Sequence, residues 1–166
     1  MRPGLARGRA PTPVPCAMSW FPAGGVRVAT TVTAATLVLR LPRDAASVPL
    51  TRRVLEAALV SLGVSDDCRA DVQLALSEAC TNVIRHAVPS QSYQVQVGFD
   101  ERRCTIEVLD DGPGIELATA ATMASPLDEH GRGLRIIALV ADEVEVRRRR
   151  PHGTLLRFVK RLTFRK

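Results

Sequence analysis

Five short stretches rich in Leu, Val and other apolar residues predict β-strands, and in two of them, 94–99 and 104–109, apolar and polar residues alternate. The predicted strands cover residues 36–41, 94–99, 104–109, 143–149 and 154–161. The charged segment 100–103 lies between the second and third strands, and Pro151, His152 and Gly153 lie between the last two. Connections this short predict two antiparallel hairpins.

Apolar residues return every three or four positions in three other stretches, which predicts helices. These helices run from residue 47 to about 62, from 66 to about 87, and from about 133 to 140. Ser47 is placed to cap the first helix, and Ser65 or Asp66 to cap the second. In the second helix we expect one apolar stripe to face the core, and its members are Val72, Leu76, Ala79, Cys80, Val83 and Ala87.

The order of elements, β-α-α-β-β-loop-α-β-β, predicts one α/β domain. We expect a two-layer sandwich in which helices cover one face of a mixed, largely antiparallel sheet. Residues 115–130 lack clear periodicity and predict a mobile loop. Residues 1–34 carry prolines and arginines without a structural pattern, so we expect a flexible N-terminal tail before a domain at 35–166, with Met18 as an alternative start.

Composition narrows the class of protein. The chain has 166 residues, of which 46% are hydrophobic and 4% aromatic. This hydrophobic fraction argues against disorder, and no apolar run approaches the roughly 18 residues of a membrane-spanning helix. The four cysteines form no C-x-x-C pair, which favours reduced thiols in the cytoplasm over a zinc site or a disulfide framework.

The chain is basic, with a formal net charge of +6, and nine of its last 20 residues are Arg or Lys. Nucleic acid is the usual partner of such a surface. Few aromatic residues accompany these charges, however, and the same segment predicts strands. We therefore favour a solvated basic edge or a surface for an acidic partner, and nucleic-acid binding is the weakest of three functional hypotheses.

The first chemical motif is Glu78-x-x-x-Asn82 on the second predicted helix. Residues four apart lie one turn apart on one face, and Asp71 lies on the same face, away from the apolar stripe. An amide oxygen can ligate magnesium, and a carboxylate beside it can orient or deprotonate a nucleophile. The alternative is an ordinary solvated polar face.

The second motif is Asp110-Asp111-Gly112-Pro113-Gly114 at the end of the third predicted strand. A carboxylate at the edge of a sheet can accept a hydrogen bond from an exocyclic amine such as that of adenine. Gly112 and Gly114 permit close backbone approach and positive φ. The alternative is a simple Asp-Gly turn.

The third motif, Gly131-Arg132-Gly133-Leu134, opens the last predicted helix. Glycines at a helix start expose backbone N–H groups to an anion, and the helix dipole favours the negative charge. The alternative is a flexible helix terminus without a ligand.

Together the three motifs resemble the N, G1 and G2 boxes of the GHKL ATPase superfamily, the histidine-kinase-like ATPases of the Bergerat fold. The segment 74–87 and the pair Gly153-Thr154 resemble the anti-sigma-factor serine kinases within it. The resemblance covers roughly residues 36–162. It implies ATP and Mg²⁺ as cofactors.

The resemblance also implies a role for each matching residue. Glu78 matches the catalytic glutamate and Asn82 the magnesium-binding asparagine, while Asp110 matches the aspartate that reads adenine. The other positions implied to bind the nucleotide are Gly112, Gly114, Gly131, Arg132, Gly133, Leu134 and Thr154. Residues 115–130 match the ATP lid, and His86 is interpreted as structural.

The favoured hypothesis is therefore an anti-sigma factor that is also an ATP-dependent protein serine/threonine kinase. By resemblance, its partners are a sigma factor and an anti-anti-sigma antagonist that it phosphorylates, and it is a homodimer. The alternative is an ATP-binding regulatory module that binds a partner protein without transferring phosphate.

Overall fold

Five strands and three helices make up the computed structural model, which describes residues 34–113 and 129–166. The strands are β1 (Ala34–Pro42), β2 (Ser92–Asp100), β3 (Arg103–Asp110), β4 (Glu143–Arg148) and β5 (Thr154–Arg161). The helices are α1 (Ser47–Ser61), α2 (Asp66–His86) and α3 (Glu129–Val140). Each of the predicted strands is present, as are all three helices.

The sheet has the strand order β1-β2-β3-β5-β4, and each of its four pairings is antiparallel. The prediction of a largely antiparallel sheet is confirmed. β4 runs in the same direction as β3 but is separated from it by β5. In the register of β3 with β5, Asp110 lies opposite Thr154, so the last residue of one strand meets the first residue of the other.

The core lies between one face of the sheet and the helices. In β2 and β3 every second residue is buried, as a strand with one covered face requires. All six members of the predicted α2 stripe are buried. The largest fully buried side chains come from both layers and include Leu55, Leu59, Leu76, Ile106, Ile137 and Phe158. The predicted two-layer α/β sandwich is thereby confirmed.

The predicted cap of α1 is wrong, and the predicted cap of α2 is correct in position but not in its hydrogen bond. Ser47 is the first residue of α1 rather than its cap, and its hydroxyl donates to the Asp44 carbonyl at 2.6 Å and lies 2.7 Å from the Tyr93 hydroxyl. Ser65 is the N-cap residue of α2, but its Oγ lies 2.6 Å from Thr163 Oγ1 and bonds no helix N–H. In each case a tertiary hydrogen bond replaces the local one.

Helix α3 begins at Glu129, four residues before the predicted start, so residues 129 and 130 are helical and not part of a loop. The helix was predicted to begin later because it contains glycines at 131 and 133, and glycine is unfavourable inside helices. Residues 115–128 of the predicted lid, Gly114, and residues 1–33 of the predicted tail lie outside the described residues.

Cys68, Cys80 and Cys104 are free and buried, and reduced thiols in the cytoplasm stay a prediction. Burial raises the pKa of Cys80 to about 11 and that of Cys104 to about 12, so both stay protonated at neutral pH. Of the helices that the structure describes, none is both long and apolar enough to cross a membrane.

Candidate functional site

Glu78, Asn82 and Gly133 form the first of two polar clusters, and we call it the helix cluster because its members lie on α2 and α3. A Cβ atom added to Gly133 would lie 3.0 Å from Asn82 Oδ1 and 3.1 Å from Glu78 Oε2. The two side-chain oxygens therefore converge on one point of α3. Only a residue without a side chain leaves that point open.

Glu78 and Asn82 are both half-buried, and within the described ranges neither side chain forms a hydrogen bond or an ion pair. Asp71, predicted on the same face, is paired instead: Lys160 Nζ donates to its Oδ2 at 2.6 Å and to the Val140 carbonyl at 2.6 Å. Asp71 thus fastens α2 to the end of α3 and to β5. The Glu78 carboxylate and the Asn82 amide are therefore available to bind a ligand.

The second cluster, the strand cluster, surrounds the end of β3 and consists of Asp110, Gly112, Arg149, Gly153 and Thr154. Asp110 is only 7% exposed, and its Oδ1 accepts the Gly112 N–H at 2.8 Å. Burial raises the pKa of Asp110, and hydrogen bonds from Gly112 and Thr154 partly oppose that shift. The carboxylate is fixed in direction by Gly112 in the turn that follows β3 and by Thr154 on β5.

Gly112 is buried against the C-terminal end of α2. A Cβ at this position would lie 2.6 Å from Ala87 Cα, which no side chain can tolerate. Among the described glycines only Gly63 and Gly153 have positive φ, so the expectation of positive φ at Gly112 is wrong. The requirement at Gly112 is close packing. Ala87 lies five residues after Asn82, about 7.5 Å along the helix, so this contact brings the two clusters to one end of α2.

Two members of the strand cluster were not predicted as site residues. Arg149 Nη1 donates to the Asp110 carbonyl at 2.9 Å and to Asp111 Oδ1 at 2.8 Å. Gly153 has φ +104°, and a Cβ there would lie 2.1 Å from the Asp110 carbonyl oxygen. The run of four arginines from 147 to 150 marked this region as basic, but nothing in the run distinguishes Arg149 from its neighbours.

These two clusters sit within a segment of known type: the model of the histidine kinase-like ATPase domain matches residues 41–160. The chain belongs to the histidine kinase-like ATPase domain family. The match covers both clusters, and it confirms the fold family that the three motifs indicated.

Relatives within this family include the serine-protein kinase RsbW of Bacillus mycoides (strain KBAB4), which is 27% identical over 119 residues. The serine-protein kinase RsbW of Bacillus anthracis is 26% identical over 119 residues. In each case the match covers 65% of this chain and 74% of the relative.

A solved structure has the same fold: the RsbU and RsbW domains of Rv1364c from Mycobacterium tuberculosis superpose with a TM-score of 0.60 at 18% identity. The superposition covers 77% of this chain and 32% of that larger one. The likeness at this identity concerns the histidine kinase-like ATPase fold alone.

The residues of the third motif lie in different surroundings in the structure. Gly131 falls in the first turn of α3, where backbone N–H groups lack intrahelical partners, and Gly133 faces the helix cluster. Arg132 is exposed, and Leu134 packs against the hydrophobic core. Nucleotide contacts by Arg132 and Leu134 therefore stay predictions, and the side chain of Leu134 has a structural reason to be apolar.

The residues of the helix cluster fit a magnesium ion held together with a nucleotide. Within the described ranges no group of three or more His, Cys, Asp or Glu side chains is arranged to hold a metal alone. Magnesium is commonly bound by one or two protein oxygens together with phosphate oxygens. Asn82 Oδ1, with the open point at Gly133 beside it, supplies such an oxygen. His86 at the end of α2 is exposed.

Proposed function

We propose that this chain is an ATP-binding anti-sigma factor and a protein serine/threonine kinase that phosphorylates an anti-anti-sigma antagonist. The observation that carries the proposal is the convergence of Glu78 and Asn82 on Gly133. Family membership and the similarity to proteins named serine-protein kinase RsbW support it.

Asn82 is proposed to hold Mg²⁺ through its amide oxygen, with the phosphates of ATP as the other partners. When bound, the ion neutralises charge that develops on the phosphates during transfer. Because Gly133 has no side chain, the start of α3 can lie close to the side chains of Asn82 and Glu78. The free N–H groups in the first turn of α3, including that of Gly131, are suited to an anion.

Asp110 is proposed to read the adenine base at the other end of the site. Its carboxylate is acceptor-only when ionised, so it suits the 6-amino group of adenine and rejects the 6-oxo group of guanine. Thr154 lies beside it in register, and Gly112 keeps the turn close to α2. The proposed role of Gly114 belongs to a residue outside the described ranges.

Glu78 is proposed to act on the acceptor, as general base or by orienting the hydroxyl of the antagonist's Ser or Thr. It stands one helical turn from Asn82, and its Oε2 and Asn82 Oδ1 border the same open point. A hydroxyl that bonds Glu78 would therefore lie next to the Asn82 amide that is proposed to hold the ion. Positioning of this kind, with electrostatic stabilisation, supplies most of the rate in phosphoryl transfer.

The proposed regulation is a competition between two protein partners. The chain holds either a sigma factor or the unphosphorylated antagonist, and phosphorylation of the antagonist returns the chain to the sigma factor. A homodimer is part of this proposal, since the resemblance to anti-sigma-factor kinases implies one. The basic hairpin between β4 and β5 offers a surface for an acidic partner.

Calorimetry of ATP binding with and without Mg²⁺ tests the nucleotide site. We expect Mg²⁺ to tighten ATP binding to the wild type and to lose this effect in Asn82→Ala. Thr81→Ala, on the adjacent position of α2, is the matched control and should retain the magnesium effect. Equal ATP affinity in all of these cases would refute the role of Asn82.

Incubation with labelled ATP and candidate antagonists from the same genome tests the kinase activity. Transfer of label to a Ser or Thr of one antagonist is the expected result. A protein that binds ATP and a partner but labels none of the candidates is instead a regulatory module.

A further inference from the structure

Arg149 reaches from the loop between β4 and β5 to the strand end that carries Asp110. One nitrogen of its guanidinium, Nη1, donates to the Asp110 carbonyl at 2.9 Å and to Asp111 Oδ1 at 2.8 Å. Its own backbone N–H donates to the Gly153 carbonyl at 2.9 Å. Arg149 therefore ties both residues of the strand end to the hairpin.

Gly153 gives an independent observation at the same atom. Its φ is +104°, and a Cβ there would lie 2.1 Å from the Asp110 carbonyl oxygen. The backbone of the hairpin thus packs directly on the carbonyl that Arg149 bonds. The next residue, Thr154, lies opposite Asp110 in the register of β3 and β5.

We propose that Arg149 is a positioning residue for base recognition: it holds the Asp110 backbone carbonyl and the Asp111 side chain so that the Asp110 carboxylate faces the adenine base. This inference rests on the proposed function of Asp110. It adds a residue of the hairpin, on a different strand connection, to the recognition of the nucleotide. The ligand it serves is a purine nucleotide with a 6-amino group.

The reason lies in the sequence of the turn. Asp-Asp-Gly-Pro has several low-energy turn conformations, because Asp and Gly each accept more than one backbone geometry. The bond from Gly112 to Asp110 Oδ1 is internal to the turn, so it cannot orient the turn relative to the sheet. From outside the turn, Thr154 on β5 bonds the Asp110 carboxylate, and Arg149 adds bonds to the Asp110 carbonyl and to Asp111 that restrict the turn further.

The expected loss of ATP affinity depends on how exposed the partners of Arg149 are to solvent. The Asp111 side chain is 62% exposed, so its ion pair with Arg149 contributes little by itself. The bond to the carbonyl of the buried Asp110 contributes more. The loss of a single hydrogen bond of this kind predicts a fall of about 3–10-fold in ATP affinity.

The test compares three variants by competition binding of ATP and GTP. Arg149→Gln should lose about 3–10-fold in ATP affinity with little change for GTP, so the preference for ATP narrows. Arg149→Lys keeps a charged donor and should lie between Gln and the wild type. Arg150→Gln, which removes the same charge from the same hairpin, is the matched control and should keep the wild-type preference.

GTP separates positioning from simple electrostatics, because both nucleotides carry the same triphosphate. An equal loss for ATP and GTP in Arg149→Gln, or the same loss in Arg150→Gln, would overturn the proposal. Melting temperatures of all variants show whether they are folded at the temperature of the binding assay.

Hydrogen exchange of the Gly112 amide, measured in the absence of nucleotide, tests whether Arg149 holds the turn in place. Faster exchange is expected in Arg149→Gln than in Arg150→Gln, and equal exchange would overturn the proposal even if the wild type binds ATP. A wild type without preference for ATP would refute the proposed function and the positioning role with it. Faster exchange in Arg149→Gln would in that case show that the bonds from Arg149 stabilise the turn without a role in base recognition.

Discussion

The helix cluster and the strand cluster lie at the same end of α2, yet they differ in how their polar groups are satisfied. In the strand cluster, Asp110 is buried and accepts bonds from its own turn, while its carbonyl accepts a bond from Arg149. In the helix cluster, the side chains of Glu78 and Asn82 form no hydrogen bond with another described residue, although both residues are half-buried.

This difference indicates a division of labour. A carboxylate that is already fixed can read a base at little cost in reorganisation, since its direction is set before the ligand arrives. Two side chains that bond no other described side chain are suited to the metal ion and the reacting hydroxyl of the proposed function. Substitutions in the strand cluster should therefore affect stability and base recognition, whereas those in the helix cluster should affect magnesium-dependent ATP binding and phosphoryl transfer with little effect on stability.

The largest effect is expected from Glu78→Gln, which keeps the size of the side chain and removes the carboxylate. Phosphorylation of the antagonist should fall by about 10²–10⁴-fold if Glu78 serves as general base or orients the hydroxyl. ATP binding and the melting temperature should change little, because Glu78 lies off the apolar stripe and its side chain bonds no partner in the part of the chain that the structure describes.

Single-turnover assays with labelled ATP measure this effect, with Glu101→Gln in the β2–β3 turn as the control for loss of charge. Transfer at the wild-type rate by Glu78→Gln would refute the catalytic role. A large fall in melting temperature would show instead that the helix cluster carries stability, which would remove the contrast between the two clusters.

Two glycine substitutions, one in each cluster, test the same contrast by their effect on the free energy of unfolding. Gly153→Ala places a methyl group 2.1 Å from a backbone oxygen at φ +104°, and neither atom can move away easily. We expect a loss of about 2–4 kcal/mol in the free energy of unfolding. Gly133→Ala instead meets the ends of two side chains that can rotate, so its stability should change by less than about 1 kcal/mol.

Chemical denaturation measures both variants, and Gly63→Ala isolates the cause. Gly63 has φ +76° with no atom within 4 Å of a Cβ, so alanine there adds backbone strain of about 1–2 kcal/mol without a clash. Equal losses at 63 and 153 would mean that close packing on Asp110 contributes nothing. Gly133→Ala should weaken ATP binding in the presence of Mg²⁺ despite its small effect on stability.

The elements whose residues follow a strong period were predictable from the sequence. The strand β5 was predicted with its observed bounds, and all members of the α2 stripe are buried. These elements are determined by which residues must leave water, and the sequence carries that information locally. The pairing of Glu78 with Asn82 on one face followed from the same period.

The parts that failed depend on contacts between distant residues. Ser47 bonds Tyr93, 46 residues away, and Arg149 bonds Asp110 across 39. Gly112 gives no sign in the sequence that its need is proximity to Ala87 and not positive φ. Such contacts exist only once the sheet and helices are assembled, so no local pattern predicts them.

The smallest of these effects on function is expected from Asp110→Asn. The ionised carboxylate accepts from the 6-amino group, and hydrogen bonds to charged groups contribute about 1.5–3 kcal/mol. ATP affinity should therefore fall by roughly ten-fold or more, and the preference for ATP over GTP should weaken. Competition binding measures both quantities, and an unchanged ATP/GTP ratio would remove Asp110 from base recognition.

The same substitution should have the opposite effect on stability. Burial raises the pKa of Asp110 in the folded protein above its value in the unfolded chain. Folding stability is therefore lost as pH rises through the unfolded pKa of about 3.9 towards the folded value, and at neutral pH the ionised carboxylate costs stability. Asp110→Asn avoids that cost and can still accept the Gly112 N–H, so it should melt at a higher temperature than the wild type at pH 7. The advantage should shrink as the solution is acidified, because the wild-type carboxyl then takes up its proton in both states.

Asp111→Asn, at the exposed neighbour that pairs with Arg149, should gain no stability at pH 7. A lower melting temperature for Asp110→Asn at pH 7 would mean that the buried carboxylate stabilises the strand cluster, and that base recognition is obtained there without a loss of stability.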